Sequence, residues 1–218
     1  MNLAILDRIN ILFLQIIFII LLNITFSEAK VVERIAAVVN NRIITLSALN
    51  AAIELRKADI QIEEDIADED IIREKVLWEL IDRALIINEA EKFGMSKIPD
   101  AEIAEALEEM KKAYSTDDDF ERALSKWGMN IDDLRLYIKE QIISIKFIDQ
   151  RIRFFVKVSD EDIAKFYIEN KSSFGNKSME DIKSEVEAYL TDEEVARQLE
   201  EYIKKLKAKA EIRVNIGY

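Results

Sequence analysis

The chain has 218 residues, 50% hydrophobic and 34% charged, with a net charge of −12; this balance suits a helical globular protein and argues against disorder. Its acidity repels phosphate backbones, so nucleic acid is not an expected partner. There is no His and no Cys, which excludes Ser-His-Asp and Cys-His catalysis, disulfides, thiolate metal sites and a lipid-anchored cysteine.

The run ILFLQIIFIILL, residues 11–22, is almost purely apolar and is followed by NITFSEAK, in which Ser27 and Ala29 form a small-x-small cleavage site. This reads as a secretory signal peptide over residues 1–29. The n-region is atypical, because Asp7 and Arg8 cancel. The alternative is an uncleaved membrane anchor, the one route by which this chain would contact a membrane. Against it, the run is shorter than the ~20 residues of a spanning helix and is interrupted by Asn10, Gln15 and Asn23.

RIAAVVNNRIIT, residues 34–45, predicts a β-hairpin, with apolar β-formers flanking Asn40-Asn41 and Asn supplying the positive φ of a tight turn. Thr45 or Ser47 caps a first helix through about Ala58, and DIQIEEDIADE is a charged connector. A long helix runs from about Asp70 to Phe93 with Ile72, Val76, Leu80, Ala84 and Ile87 on one stripe, and Gly94 stops it. Pro99 opens the next helix, to about Tyr114. Thr116 caps another that ends at Gly128, and the run Asp117–Asp119 suits its positive end; it lacks the glycine and distal glutamate of a calcium loop.

Asn130 caps a helix whose apolar residues Ile131, Leu134, Ile138, Ile142, Ile145, Ile148, Ile152 and Phe155 are spaced only by threes and fours. That predicts one helix about 37 Å long at 1.5 Å per residue. Ser159 caps a short helix to about Asn170. The last helix starts near Met179. TDEE, 191–194, resembles a helix start and leaves room for a kink or break, and the helix ends in Lys204, Lys205, Lys207 and Lys209, which suit the negative end of the dipole. EIRVNI, 211–216, alternates as a strand, with Ile212, Val214 and Ile216 on one face. A lone hairpin and a lone strand are each marginal, so one small antiparallel sheet is expected to contain both. The fold class is therefore mostly α, with the helices closed by that sheet.

Taken in order, AAVVNNRIIT, LIINEAEKFGM, WGMNIDDLRLYIKEQI and VSDEDIAKFYIENKSSF resemble the N-terminal chaperone domain of the SurA-type periplasmic chaperones. The related foldases built around parvulin prolyl-isomerase domains share the pattern. The resemblance runs from about Val31 to Ile216. It implies one chaperone domain over residues 30–218, with a helical core at 45–170 completed by the helix and strand of 178–216. It also implies a periplasmic location. In such proteins a segment like VSDEDIAKFYIENKSSF leads into parvulin domains; here about six residues, Ser172 to Lys177, reach the final helix directly. No isomerase domain fits there, and the His on which parvulin sites usually rely is missing.

The family resemblance implies an ATP-independent chaperone for unfolded secreted or outer-membrane polypeptides, with no cofactor, no metal and no catalytic residues. An envelope adaptor or structural protein recognising one folded partner is the alternative, and a prolyl isomerase a more distant one. A client surface would be apolar, partly exposed and adaptable. Phe120, Trp127, Met129, Tyr137, Phe154 and Phe155 are the candidates, each with core packing as its competing role. Carboxylate pairs and a Ser-Lys dyad remain open chemically, but 43 acidic residues place some pairs close by chance and no spacing singles one out. The Lys204–Lys209 cluster is read as a solvated helix end rather than a lipid contact.

Overall fold

Apolar strands on either side of Asn40-Asn41 pair as β1 (Ile35–Val39) and β2 (Arg42–Thr45) in a computed structural model of the chain, which describes residues 33–60 and 69–215. The segment 1–32 with the signal peptide expected there, the connector residues 61–68 and residues 216–218, Ile216 of the expected strand among them, lie outside the described residues. Val39 faces Arg42 across the two-residue turn, and Asn40 adopts φ 55°. Its N–H donates to the Glu211 carbonyl at 2.8 Å, and its Oδ1 accepts from the Glu211 N–H at 3.0 Å. The turn therefore also receives the returning chain. β3 (Ile212–Val214) pairs antiparallel with β1, giving the sheet order β2-β1-β3. A register shift between Ile35 and Ala37 makes a bulge that buries both Ala36 and Ala37.

The helices begin where local chemistry caps them. α1 (Leu46–Ile60) starts with the Ala48 N–H donating to Thr45 Oγ1 at 3.1 Å. α2 (Glu69–Lys92) ends before Gly94, and α3 (Asp100–Lys111) follows Pro99. α4 (Asp117–Trp127) is capped by Thr116 and closed by Gly128, which takes φ 69°. α5 (Ile131–Arg151), α6 (Asp160–Glu169) and α7 (Met179–Lys207) each open with a reciprocal capping box, Asn130/Asp133, Ser159/Asp162 and Ser178/Asp181. Between α6 and α7 lie only residues 170–178, which carry one 3₁₀ turn, Lys171–Ser173.

Four expectations are corrected. α3 stops at Lys111 rather than Tyr114: the chain tightens to i−3 hydrogen bonds, Tyr114 N–H to Lys111 O at 2.9 Å, and the Tyr114 ring turns edge-on to Phe120 and Trp127. α5 is shorter than 37 Å. It ends at Arg151, and Arg153–Phe155 form a 3₁₀ turn, because the spacing of three from Ile152 to Phe155 satisfies a 3₁₀ helix as well as an α-helix. Its buried face is Leu134, Ile138, Ile143 and Phe147 while Ile145 is exposed; the Ile142-Ile143 doublet and the fully buried Phe147 turn the face by one residue. α7 has no break at 191–194. Glu194 instead pairs with Arg197 at 2.6 Å and accepts from Gln198 at 2.7 Å within one continuous helix, and the Arg197 guanidinium, then Gln198, draw the Glu194 carboxyl down to about 2. In β3, finally, Ile212 packs inward, but Val214 is exposed, so main-chain pairing holds the outer end of that strand.

The core is layered around α2. The sheet and α1 meet one side of it through Val39, Ile44, Leu49, Ile53, Val76, Leu77, Ile81 and Leu85. Ile86, Ile87 and Ala90 meet Ile143 and Phe147 of α5, with Leu199, Tyr202, Ile203 and Leu206 of α7 packed alongside. Arg42 ties the hairpin to both helices, donating to Asn88 at 3.0 Å and Glu140 at 3.1 Å and pairing with Glu91. Lys207 is not a free helix-end cation: it pairs with Asp82 at 2.6 Å and covers the Trp78 ring at 4.9 Å. A separate cluster, Ile163, Ile182 and Val186 with Phe166, Tyr167, Phe174 and Leu190, joins α6 to the first half of α7 as a helical arm. Lys183 bridges to Asp160 across that arm at 2.8 Å.

Two outcomes follow from these contacts. Asn40→Val should lower the unfolding free energy by about 1–2 kcal/mol, the cost of forcing a branched residue into the left-handed region, and Asn40→Gly should cost less; urea melts measure both. In the arm, hydrogen bonds from Ser159 and Ser178, side chain first and then backbone, hold the Asp162 and Asp181 carboxyls below their ordinary value of 3.8. Groups depressed in the folded state contribute stability above the unfolded value and lose it as pH falls through the folded one. The double variant Asp162→Asn, Asp181→Asn should therefore be less stable than the parent near neutrality, with the gap closing below 3.8, as read by thermal melts across that range.

Candidate functional site

Residues spaced by threes and fours share a helix face, and Ala52, Leu55 and Arg56 of α1 face Val76, Glu79, Leu80 and Arg83 of α2 across an open cleft. Met110 at the end of α3 and Tyr137 of α5 complete the wall, and the cleft encloses about 480 Å³, within the ~300–1,000 Å³ of ligand pockets. Its walls are aliphatic and its rim is charged. Arg56 Nη1 donates to both carboxylate oxygens of Glu79 at 2.7 and 2.6 Å. The Arg83 guanidinium lies 5.1 Å from the centroid of the Tyr137 ring, a contact worth about 0.5–2 kcal/mol according to its desolvation. Gln141 Nε2 donates to the Tyr137 hydroxyl at 2.8 Å and fixes the far edge of that ring.

A second apolar surface lies at the root of the arm. Phe154 and Phe155 sit on the 3₁₀ turn after α5, 77% and 63% exposed, with their rings edge-to-face at 5.3 Å. Arg153 anchors this turn, donating to Asp149 at 3.1 Å and to Asp192 of α7 at 2.7 Å. The two rings are thus presented outward by a turn that is itself fixed.

The six aromatic and methionine candidates divide between these places. Tyr137 lines the cleft; Phe154 and Phe155 form the exposed pair. Phe120 and Trp127 are corrected to core residues: both are buried beside Leu107, Leu124 and Leu134 and have no surface to offer a client. Met129 is half-buried against the same cluster. The amphipathic periodicity that places an aromatic on a helix also places it in the core, so residue type alone did not separate the two roles. Leu55, Arg56, Leu80, Arg83 and Met110, which line the cleft, were not among the candidates. The available signal was Arg83, a cation at four residues from Ile87 and three from Leu80 on the apolar stripe of α2. Asp119 is engaged by Thr116 at 2.7 Å and by Arg122, and no acidic cluster among the described residues is placed to hold a metal ion.

The SurA N-terminal domain family matches residues 32–147 of the chain. The chaperone SurA of Legionella pneumophila strain Paris is 26% identical over 181 residues, which are 82% of this chain and 42% of that protein. The foldase protein PrsA of Clostridium botulinum strain Langeland is 33% identical over 110 residues, 50% of this chain and 31% of that protein. The chain thus spans less than half the length of these relatives. A solved chain from the SurA-like chaperones of Campylobacter jejuni, the virulence factor PEB4 and the periplasmic protein Cj1289, matches with a TM-score of 0.51 at 17% identity. It covers 84% of this chain and 100% of its own length, a likeness of fold. With more than half of its residues matched by the family and the hairpin, helices and closing strand all in place, the chain belongs to the SurA N-terminal domain family.

Proposed function

We propose that the protein is an ATP-independent chaperone that holds unfolded secreted or outer-membrane polypeptides soluble in the periplasm. The observation that carries this reading is the open, aliphatic-walled cleft between α1 and α2; the exposed Phe154-Phe155 pair beyond the far end of α5 offers a separate apolar contact. Both surfaces are suited to short stretches of flexible chain, and membership of a family whose relatives are named chaperones and foldases supports the same role. Client ordering offsets much of the contact energy, so binding is weak to moderate and tolerant of sequence. A net charge of −12 keeps the loaded complex dispersed by repulsion. Residues 1–29 serve as the export signal in this proposal, and the chain from residue 30 onward is the chaperone domain. No helix among the described residues is long and apolar enough to cross a membrane.

The reading includes no prolyl-isomerase activity for this chain. α6 ends at Glu169 and α7 begins at Met179, which leaves no room for an inserted parvulin domain, and the sequence has no His. A protease-coupled proline-peptide assay should show only the uncatalysed isomerisation, with a time constant of tens to hundreds of seconds.

Light scattering tests the chaperone role directly. A urea-unfolded outer-membrane β-barrel protein diluted into a several-fold molar excess of this protein should scatter far less than with an inert acidic control. Ala52→Trp, which fills the cleft from its half-exposed wall, should abolish most of that protection while leaving the melting temperature near that of the parent. Scattering equal to the control would replace the chaperone by an adaptor that recognises one folded partner.

A further inference from the structure

Arg83 lies in the wall of both the cleft and a smaller adjoining pocket. It is half-buried in the wall of the cleft, with its guanidinium 5.1 Å from the centroid of the Tyr137 ring. Among the described residues no carboxylate lies within ion-pair distance of it, although the chain carries 43 acidic residues. Its neighbours are already engaged. Glu79 is held by both its oxygens on Arg56. Glu140, which shares with Arg83 the wall of a smaller adjoining pocket, is taken by Arg42 at 3.1 Å. A partly desolvated guanidinium loses hydration that only an anion or several acceptors restore. The rim of the cleft, counting Arg56, Glu79 and Arg83, therefore carries one positive charge in excess, beside aliphatic walls and inside a strongly acidic protein.

From this charge complementarity we infer that the cleft receives the C-terminal end of an apolar polypeptide, with the terminal carboxylate on the Arg83 guanidinium and the last side chain against Leu55, Leu80 and Met110. This deepens the chaperone reading above and rests on it. A chain terminus brings a carboxylate and an apolar side chain in one residue, the pair of chemistries that the cleft offers side by side. It also needs only one exit for the rest of the chain. The guanidinium donates two parallel hydrogen bonds to a carboxylate, a geometry that an ammonium does not reproduce. The Tyr137 ring that faces the Arg83 guanidinium is itself held by Gln141.

Calorimetric titration of the full chain with one peptide ending in two apolar residues, prepared as the free acid and as the C-terminal amide, tests the inference. The acid should bind roughly tenfold or more tightly than the amide, the scale of a charge-assisted hydrogen-bonded pair. Arg83→Gln should remove that difference by bringing the acid down to the level of the amide, and Arg83→Lys should recover only part of it. The comparison of acid with amide on the parent protein stands even if Arg83→Gln fails to fold. Equal affinity of acid and amide overturns the inference and leaves the cleft as a general apolar site. If an amidated peptide with an internal Glu binds as well as the free acid, recognition of the terminus is overturned. Binding of neither peptide removes both the terminus and the cleft as a client site.

Discussion

Over Ala84–Asn88 every residue of α2 is buried, and five successive positions at 3.6 residues per turn sample the whole circumference of a helix. A helix enclosed in this way must be covered by several elements at once. The sheet and α1 cover one side, α5 another, and the second half of α7 a third. Each large aliphatic residue sealed there is worth about 1.5–3 kcal/mol, so the elements around it are held by a shared interior rather than by one another. The closing strand benefits directly. α7 is fixed on α2 through Tyr202, Ile203 and Leu206, its end is pinned by Lys207 on Asp82, and the chain is then delivered to Asn40 and the edge of β1.

The cleft is the consequence of where that cover stops. The face of α2 bearing Val76, Leu80 and Arg83 opens between α1, the end of α3 and α5, while Lys207 of α7 covers Trp78 and pairs with Asp82 of the same helix. A complete apolar seal there would have made the surface part of the core. Arg83 and the Arg56–Glu79 pair make its rim polar. The same residues that cost the fold some burial give the cleft its electrostatic character, and the part-buried Arg42 network with Glu140 and Asn88 holds the adjoining wall in place.

The arm follows a different rule. α6 and the first half of α7 bury their own small cluster and reach the rest of the protein through the continuous helix α7 and the turn that carries Phe154 and Phe155. Where α7 runs uninterrupted through 191–194, the arm and the core share one rigid element. Arg153, spanning from Asp149 to Asp192, braces the junction. Exposed aromatic rings are costly unless they are used, and here they sit on a fixed turn at the junction rather than on a loop.

The sequence by itself determined the elements, because their signals are local. Caps at Thr116, Asn130, Ser159 and Ser178 act within three residues of themselves, Asn40 satisfies its own positive φ, and the short joint after Asn170 is a matter of chain length. It also carried the meeting of the two ends in one sheet, since a lone strand has no other stable place. Only the tertiary structure decided what each apolar face touches. The run from Ile131 to Phe155 allowed one long helix, which instead gives way to a 3₁₀ turn after Ile152, and the turning of the buried face from Ile145 to Ile143 and Phe147 was made by packing against α2. Phe120 and Tyr137 looked alike as residues on amphipathic helices; one is sealed beneath Tyr114 and the other lines the cleft. Arg83 became a candidate binding group only when folding left every nearby carboxylate committed elsewhere, because pairing between distant charges depends on distances that no local pattern contains.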